Sequence, residues 1–171
     1  QSLAATRTGL TETRRALHDL RASPLEDLGL ALALRSLAES AAARNGLSVT
    51  VDIPEFVDTL SPSVEQCLYR VTQEALENVS RHAAARHVAV RLEHGNDYIA
   101  LTISDDGQGF DRDAAEPDLR LGLRGMQERA DMVGGTLRVE STVGQGTTVI
   151  LTVALSSQLS ALNPQPETGT G

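Results

Sequence analysis

Asp105 ends the alternating run Ile99, Leu101, Ile103 and shares its face, because successive strand residues point to opposite sides of a sheet. A carboxylate is thereby aimed toward the core side, where it needs donor partners to offset its desolvation. Val149, Leu151 and Val153 share a face in the same way, and counting back along that strand places Thr147 on it. Two polar groups thus point from strand ends into one interior. Asp105 leads into Asp106-Gly107-Gln108-Gly109-Phe110, whose glycines let the backbone turn sharply and approach a ligand closely. Glu74 and Asn78 stand one helical turn apart at the edge of an apolar arc, so both can face a cleft between helix and sheet. The amide oxygen of Asn78 suits a hard cation such as Mg²⁺, which takes few protein ligands because it keeps waters and binds substrate phosphates.

These side chains need elements to hold them. Ser61-Pro62 opens a helix that reaches roughly residue 82. At about 100° per residue its positions Val64, Leu68, Val71, Thr72, Ala75, Leu76 and Val79 fall in one arc, with Arg70, Glu77 and Arg81 opposite. Two alternating runs, 87–93 and 98–105, are joined by His94-Gly95-Asn96-Asp97 as a hairpin. A further helix is expected from about Leu121 to Val133, stopped by Gly134-Gly135, and strands 136–141 and 147–155 flank the turn Thr142-Val143-Gly144-Gln145-Gly146. Upstream, Leu47, Val49, Val51 and Ile53 alternate as a strand. Ser23-Pro24-Leu25-Glu26 reads as a capped start for a helix running to about Arg44, where Asn45-Gly46 ends it. Residues 1–21 carry Leu3, Leu10, Leu17 and Leu20 at near-heptad spacing, an apolar seam that calls for a partner helix. After Ser156 the composition turns to Ser, Gln, Pro, Thr and Gly, which reads as a disordered tail. The fold class expected is α+β: a two-layer sandwich with a mixed, mostly antiparallel sheet and helices on one face, preceded by a helical segment. Domain bounds follow as 1–22, 23–155 and 156–171.

Composition narrows the function. The chain has 171 residues, with 15 Arg and no Lys against 23 Asp plus Glu, for a net charge of −8. A phosphate-backbone partner draws on clustered cations, and stacking of single strands needs aromatic platforms; with Phe56, Tyr69, Tyr98 and Phe110 the only aromatics, nucleic-acid binding is not expected. Small phosphorylated ligands need only local donors. Cys67 is the one cysteine, which fits a reducing compartment and leaves no Cys/His zinc spacing. The sequence shows neither a bilayer-length apolar run nor a signal peptide, so no membrane contact is expected of this segment. It begins at Gln1 without an initiator Met, which suggests a processed chain or part of a longer one.

The order of the motifs is specific. Gln73-Glu74-Ala75-Leu76-Glu77-Asn78, Asp105-Asp106-Gly107-Gln108-Gly109-Phe110, Gly122-Leu123-Arg124-Gly125-Met126 and Gly144-Gln145-Gly146-Thr147 resemble, in that order, the asparagine box, the two glycine boxes and the closing Gly-x-Gly-Thr of the GHKL ATP-binding superfamily. Leu25-Glu26-Asp27-Leu28-Gly29-Leu30, Val79-Ser80-Arg81-His82-Ala83 and Gly125-Met126-Gln127-Glu128-Arg129 further resemble the nitrate/nitrite-sensor-like subfamily of two-component sensor histidine kinases. The resemblance covers about residues 10–155.

It implies the GHKL sandwich fold, ATP and Mg²⁺ as ligands, and the end of a dimerisation helix over 1–22. Asp105 would take the adenine amino group, with Thr147 assisting directly or through water. Asn78 would bind the Mg²⁺ that bridges the phosphates, and Glu74 would position the metal or polarise the attacking group. Gly107 and Gly109 would shape the nucleotide's rim; Gly122, Leu123 and their neighbours would close a short lid, roughly 111–121, over the phosphates. His82, nearer the core than Arg81 by helical angle, is the better candidate for a phosphate contact, and Arg124 could add positive charge. Arg120 stands where the family often has a glycine, a departure that bears on the lid more than on the adenine site.

Leu17-His18-Asp19 resembles the acceptor motif of this subfamily, but it runs on into Leu20-Arg21-Ala22-Ser23-Pro24 without the family's downstream Gln. His18 is therefore read as a solvated helix residue, and the acceptor helix is expected upstream of Gln1. By the same weighing Glu77, His87 and His94 are surface residues and Cys67 is core packing. The resemblance implies a cytoplasmic kinase that donates the γ-phosphoryl group to a His outside this chain, then to a response regulator, as a homodimer through its helices. The alternatives are a degenerate nucleotide-binding module without turnover, or a related ATPase or serine kinase of the same fold.

Overall fold

The computed structural model describes residues 24–55, 57, 60–111 and 116–155. The helix expected over 1–21 with His18, the Ser23 cap, part of the expected lid and the tail from 156 lie outside the described residues.

Helix α1 (Pro24–Leu28) and helix α2 (Leu30–Asn45) replace the single helix expected there. Gly29 between them adopts φ +74°, a left-handed backbone that glycine enters without strain and that no continuous α-helix tolerates. Gly46 closes α2 at φ +65°, its N–H on the Ala42 carbonyl. Strand β1 (Ser48–Asp52) follows. Helix α3 (Pro62–Asn78) begins as its sequence indicates, with Pro62 in its first turn and the Ser61 hydroxyl accepting from Val64 N–H at 3.4 Å. All seven residues of the expected apolar arc are buried, six of them in α3 and Val79 just beyond it, including Thr72, whose hydroxyl donates to the Leu68 carbonyl at 2.8 Å.

The α geometry stops at Asn78. Val79–Ala83 forms a π-helical turn, and Ala84 leaves it at φ +49°. Such turns are rare and gather at functional sites. Strands β2 (His87–His94) and β3 (Tyr98–Asp105) form the expected hairpin. Helix α4 (Pro117–Met132) starts four residues before the expected Leu121, because Pro117 at the first helical position and Asp118 in the first turn supply a start the apolar period did not reveal. Strands β4 (Thr136–Ser141) and β5 (Thr147–Ala154) complete a five-stranded sheet of order β1-β2-β3-β5-β4, in which β1 and β2 run parallel and the other pairs antiparallel.

The helices cover one face of that sheet. Val88, Val90, Leu92, Ile99, Leu101, Ile103, Val149, Leu151 and Val153 are all buried beneath them. No helix among the described residues is long and apolar enough to cross a membrane. Cys67 ties α3 to α4, donating from Sγ to the Arg129 carbonyl at 3.3 Å. Burial pushes its thiol up to about 11, against a smaller opposing pull from the Arg129 guanidinium. Thiolate is then scarce near pH 8, and a disulfide reagent is expected to label Cys67 only as the protein unfolds. Labelling of native protein as fast as of denatured protein would contradict this packing.

Candidate functional site

Strand register brings the two inward polar groups face to face. Asp105 and Thr147 are direct partners across β3 and β5, and Thr147 pairs in turn with Ser141 across β5 and β4. Asp105 is half-buried, and desolvation raises its carboxyl above the ordinary range, opposed by the Gly107 and Thr147 N–H groups and reinforced by the neighbouring Asp106 charge. Its Oδ1 accepts from Gly107 N–H at 2.8 Å. Those donors satisfy part of a carboxylate that otherwise faces an open cleft.

Asp106 does different work. Its Oδ1 accepts from the Arg86 and His87 N–H groups, each at 2.8 Å, pinning the glycine loop to the start of β2. These two bonds, His87 first, hold its carboxyl below the ordinary 3.8. Because the folded value is depressed, the tie is intact above the unfolded pKa and is lost as pH falls through the lower folded one. Amide shifts of Arg86 and His87 followed through an acid titration are expected to report that folded pKa, and a midpoint above 3.8 would contradict the assignment.

A cavity of about 380 Å³ opens between α3, the π-helical turn, the sheet and α4, within the range of small-molecule sites. Its lining gathers six of the residues named from sequence: Asn78, His82, Asp105, Gly109, Leu123 and Thr147. Ala75, Val79, Ile103, Phe110 and Val149 supply apolar walls. The other four lie elsewhere. Gly107 is buried behind Asp105, and a Cβ there would strike the Ala83 carbonyl and, at 2.7 Å, Asp105 Oδ1. Glu74 lies against Gly122, whose Cβ would stand 2.5 Å from Glu74 Oε1 and 3.4 Å from Asn78 Oδ1.

Gly122 stands deeper inside α4 than the expected start at Leu121 would put it, and its lack of a Cβ is what lets α4 approach Glu74 and Asn78. Arg124 Nε meets Glu128 Oε1 at 2.8 Å on the exposed face of α4, the i,i+4 pairing that a helix favours. It does not line the cavity. Arg81, beside His82, does line it, and pairs with Glu77 at 2.6 Å, both exposed.

Three residues at the site escaped sequence reasoning. Gln108 donates from Nε2 to the His82 carbonyl at 2.6 Å and from its backbone N–H to the Ala83 carbonyl at 2.7 Å, lashing the glycine loop to the π-helical turn. Glu116, just before α4, stands 3.8 Å from His82 Nδ1. Ser141 bonds Thr147. Gln108 had a signal, lying between two glycines of a turn; Glu116 and Ser141 are set by tertiary register, which spacing does not report.

A half-buried carboxylate opposite a threonine, a glycine loop behind it, and an asparagine where helix meets cleft share one cavity on an α+β sandwich. The chain belongs to the family described as "Histidine kinase-, DNA gyrase B-, and HSP90-like ATPase", which it matches over residues 63–157, and within it carries the ATPase domain of a sensor histidine kinase. It is 44% identical over 142 residues to the sensor histidine kinase MctS of Rhizobium johnstonii, covering 82% of this chain and 31% of that protein. It is 36% identical over 142 residues to DegS of Bacillus subtilis, described as a signal transduction histidine-protein kinase/phosphatase, covering 80% and 37%. The chain thus spans about a third of the length of these relatives. The histidine kinase domain of the Erythrobacter litoralis blue-light activated histidine kinase shares the fold, with a TM-score of 0.61 at 24% identity over 75% of this chain and 62% of that one.

Proposed function

We propose that this cleft binds Mg-ATP and presents its γ-phosphoryl group to a histidine of the longer kinase to which the domain belongs, from which a response regulator's aspartate would take it. The observation that carries the reading is the pairing of Asp105 with Thr147 in the lining of the cleft. A carboxylate kept short of donors by burial is matched to an exocyclic amine, whose N–H groups it can accept. His82 lines the same cleft and would supply a contact to the phosphates. The kinase would be cytoplasmic and would pair as a homodimer through helices of the full-length protein.

Mg²⁺ fits the residues present. The Asn78 amide oxygen and the Glu74 carboxylate oxygen both lie against Gly122, and such hard oxygen donors, few in number, are what Mg²⁺ accompanied by phosphates takes. Asn78 would hold it, with Glu74 alongside; the ion would neutralise phosphate charge during transfer. Asn78 Oδ1 and Glu74 Oε1 converge on the same side of α3, against Gly122. Glu74 would orient the attacking group or the metal's waters, while Asp105 and Thr147 fix the base end. Catalysis in this arrangement is positioning and charge stabilisation.

Titrating ATP with and without Mg²⁺ tests the metal assignment. Mg²⁺ is expected to tighten ATP binding to the parent protein, and Asn78→Ala to remove about tenfold or more of that gain, the usual effect of deleting a group that holds a metal. An equal Mg²⁺ effect in both proteins would remove Asn78 from the role. Transfer of labelled phosphate to a separately supplied acceptor-helix domain of the same kinase would then distinguish turnover from binding.

A further inference from the structure

Ser141, the last residue of β4, makes three hydrogen-bond contacts with one hydroxyl. It accepts from Phe110 N–H at 2.9 Å, donates to the Gly146 carbonyl at 3.2 Å and lies 3.0 Å from Thr147 Oγ1. A serine hydroxyl has one proton and two acceptor lone pairs. The Gly146 carbonyl can only accept, so that bond uses the serine proton. Phe110 N–H can only donate, so it uses one lone pair. What remains for Thr147 is the second lone pair, and the proton between the two hydroxyls is the threonine's. Thr147 is left with lone pairs to offer the cleft. Across the sheet its register partner Asp105 offers a carboxylate, an acceptor as well.

We propose that Ser141 is a positioning residue for base recognition: by drawing the Thr147 proton away from the cleft it makes this end acceptor-only, and so selects a purine nucleotide with an exocyclic amine over one with a carbonyl in that place. The inference rests on reading the cleft as a nucleotide site. An amine brings two N–H donors to two acceptors. A carbonyl brings lone pairs against lone pairs, and a site built around a hydrogen bond rejects the analogue that cannot make it. Removing the Ser141 hydroxyl frees the Thr147 proton to rotate into the cleft, where it can meet a carbonyl. A purely structural brace between Phe110, Gly146 and Thr147 would behave otherwise, because loosening it would weaken all nucleotides together.

The experiment measures dissociation constants of ATP and of inosine triphosphate, which carries the carbonyl, for the parent, Ser141→Ala and Ser141→Thr. The parent is expected to prefer ATP strongly. Ser141→Ala is expected to narrow the ratio by about fivefold or more, the worth of one hydrogen bond, and Ser141→Thr, which keeps the hydroxyl, to hold it within about twofold by the same reckoning. Should the alanine variant not fold, Ser141→Cys, a weaker donor and acceptor at the same place, carries the same expected narrowing. An unchanged ratio, or equal weakening of both nucleotides, overturns the role of Ser141 while leaving the nucleotide reading in place. A parent protein that binds neither triphosphate overturns that reading and the inference with it.

Discussion

Asp105→Asn is expected to weaken ATP binding by about 100-fold or more while leaving the nucleotide-free protein at least as heat-stable as the parent. The two effects have one origin. Asp105 ionises reluctantly because burial raises its carboxyl. A folded value above the unfolded one means that this group's contribution to stability is greatest below the unfolded pKa and is lost as pH rises through the folded pKa. At neutral pH the parent therefore carries a charge that its own fold disfavours, and asparagine, which does not ionise, removes it. The Gly107 N–H that Asp105 accepts at 2.8 Å finds an amide oxygen in the variant. Nucleotide binding responds in the opposite sense. The carboxylate offers two acceptor oxygens to an amine; an asparagine that keeps its oxygen on Gly107 turns an NH₂ group toward that amine, donor against donor. Losing a charge-assisted bond costs about 1.5–3 kcal/mol, and the donor clash adds to it. Calorimetric titration with ATP, paired with thermal melts of the empty proteins, checks both halves. Unchanged affinity would remove Asp105 from the base site, and a large fall in melting temperature would mean that the carboxylate is structural.

How far this site was legible in the sequence follows from the range of each signal. Alternation is local, so the inward direction of Asp105 and Thr147 and the buried arc of α3 were readable from spacing alone. That the two strands are neighbours, with Asp105 opposite Thr147, is a tertiary fact that the motif order implied and the sheet realises. Ser141 follows from the same register and had no local mark. Gly29 lay inside an apolar pattern rich enough to suggest one helix, yet its left-handed backbone divides that pattern into α1 and α2. The start of α4 was missed because Pro117 and Asp118 precede its apolar period; with the start upstream, Gly122 lies well inside the helix, packed against Glu74 and Asn78. Arg124 was assigned by proximity in sequence to a glycine box, whereas a long flexible cation pairs with whatever carboxylate lies one turn away, here Glu128.

Gly146→Ala is expected to destabilise the domain by about 3–5 kcal/mol and to abolish measurable ATP binding, whereas Gly144→Ala should cost only about 1–2 kcal/mol. Both glycines adopt nearly the same left-handed backbone, φ +81° and +82°, so both variants incur the same conformational strain. Space separates them. A Cβ on Gly144 meets nothing within 4 Å, while one on Gly146 would collide with the Asp105 carbonyl and stand 3.1 Å from Gly107 N. The obstacle is backbone at the end of β3, which can yield only by parting Asp105 from Thr147 and pulling the glycine loop off the π-helical turn, to which Gln108 N–H holds it at 2.7 Å. The closing glycine therefore sets the distance at which β5 meets the glycine loop, and a methyl group there dismantles the Asp105–Thr147 pairing from behind without touching the cleft. At roughly 3–5 °C per kcal/mol for a domain of this size, the melting temperatures of the two variants should differ by about 10 °C. Equal losses in the pair would show that backbone conformation alone, and not close approach, keeps glycine at position 146.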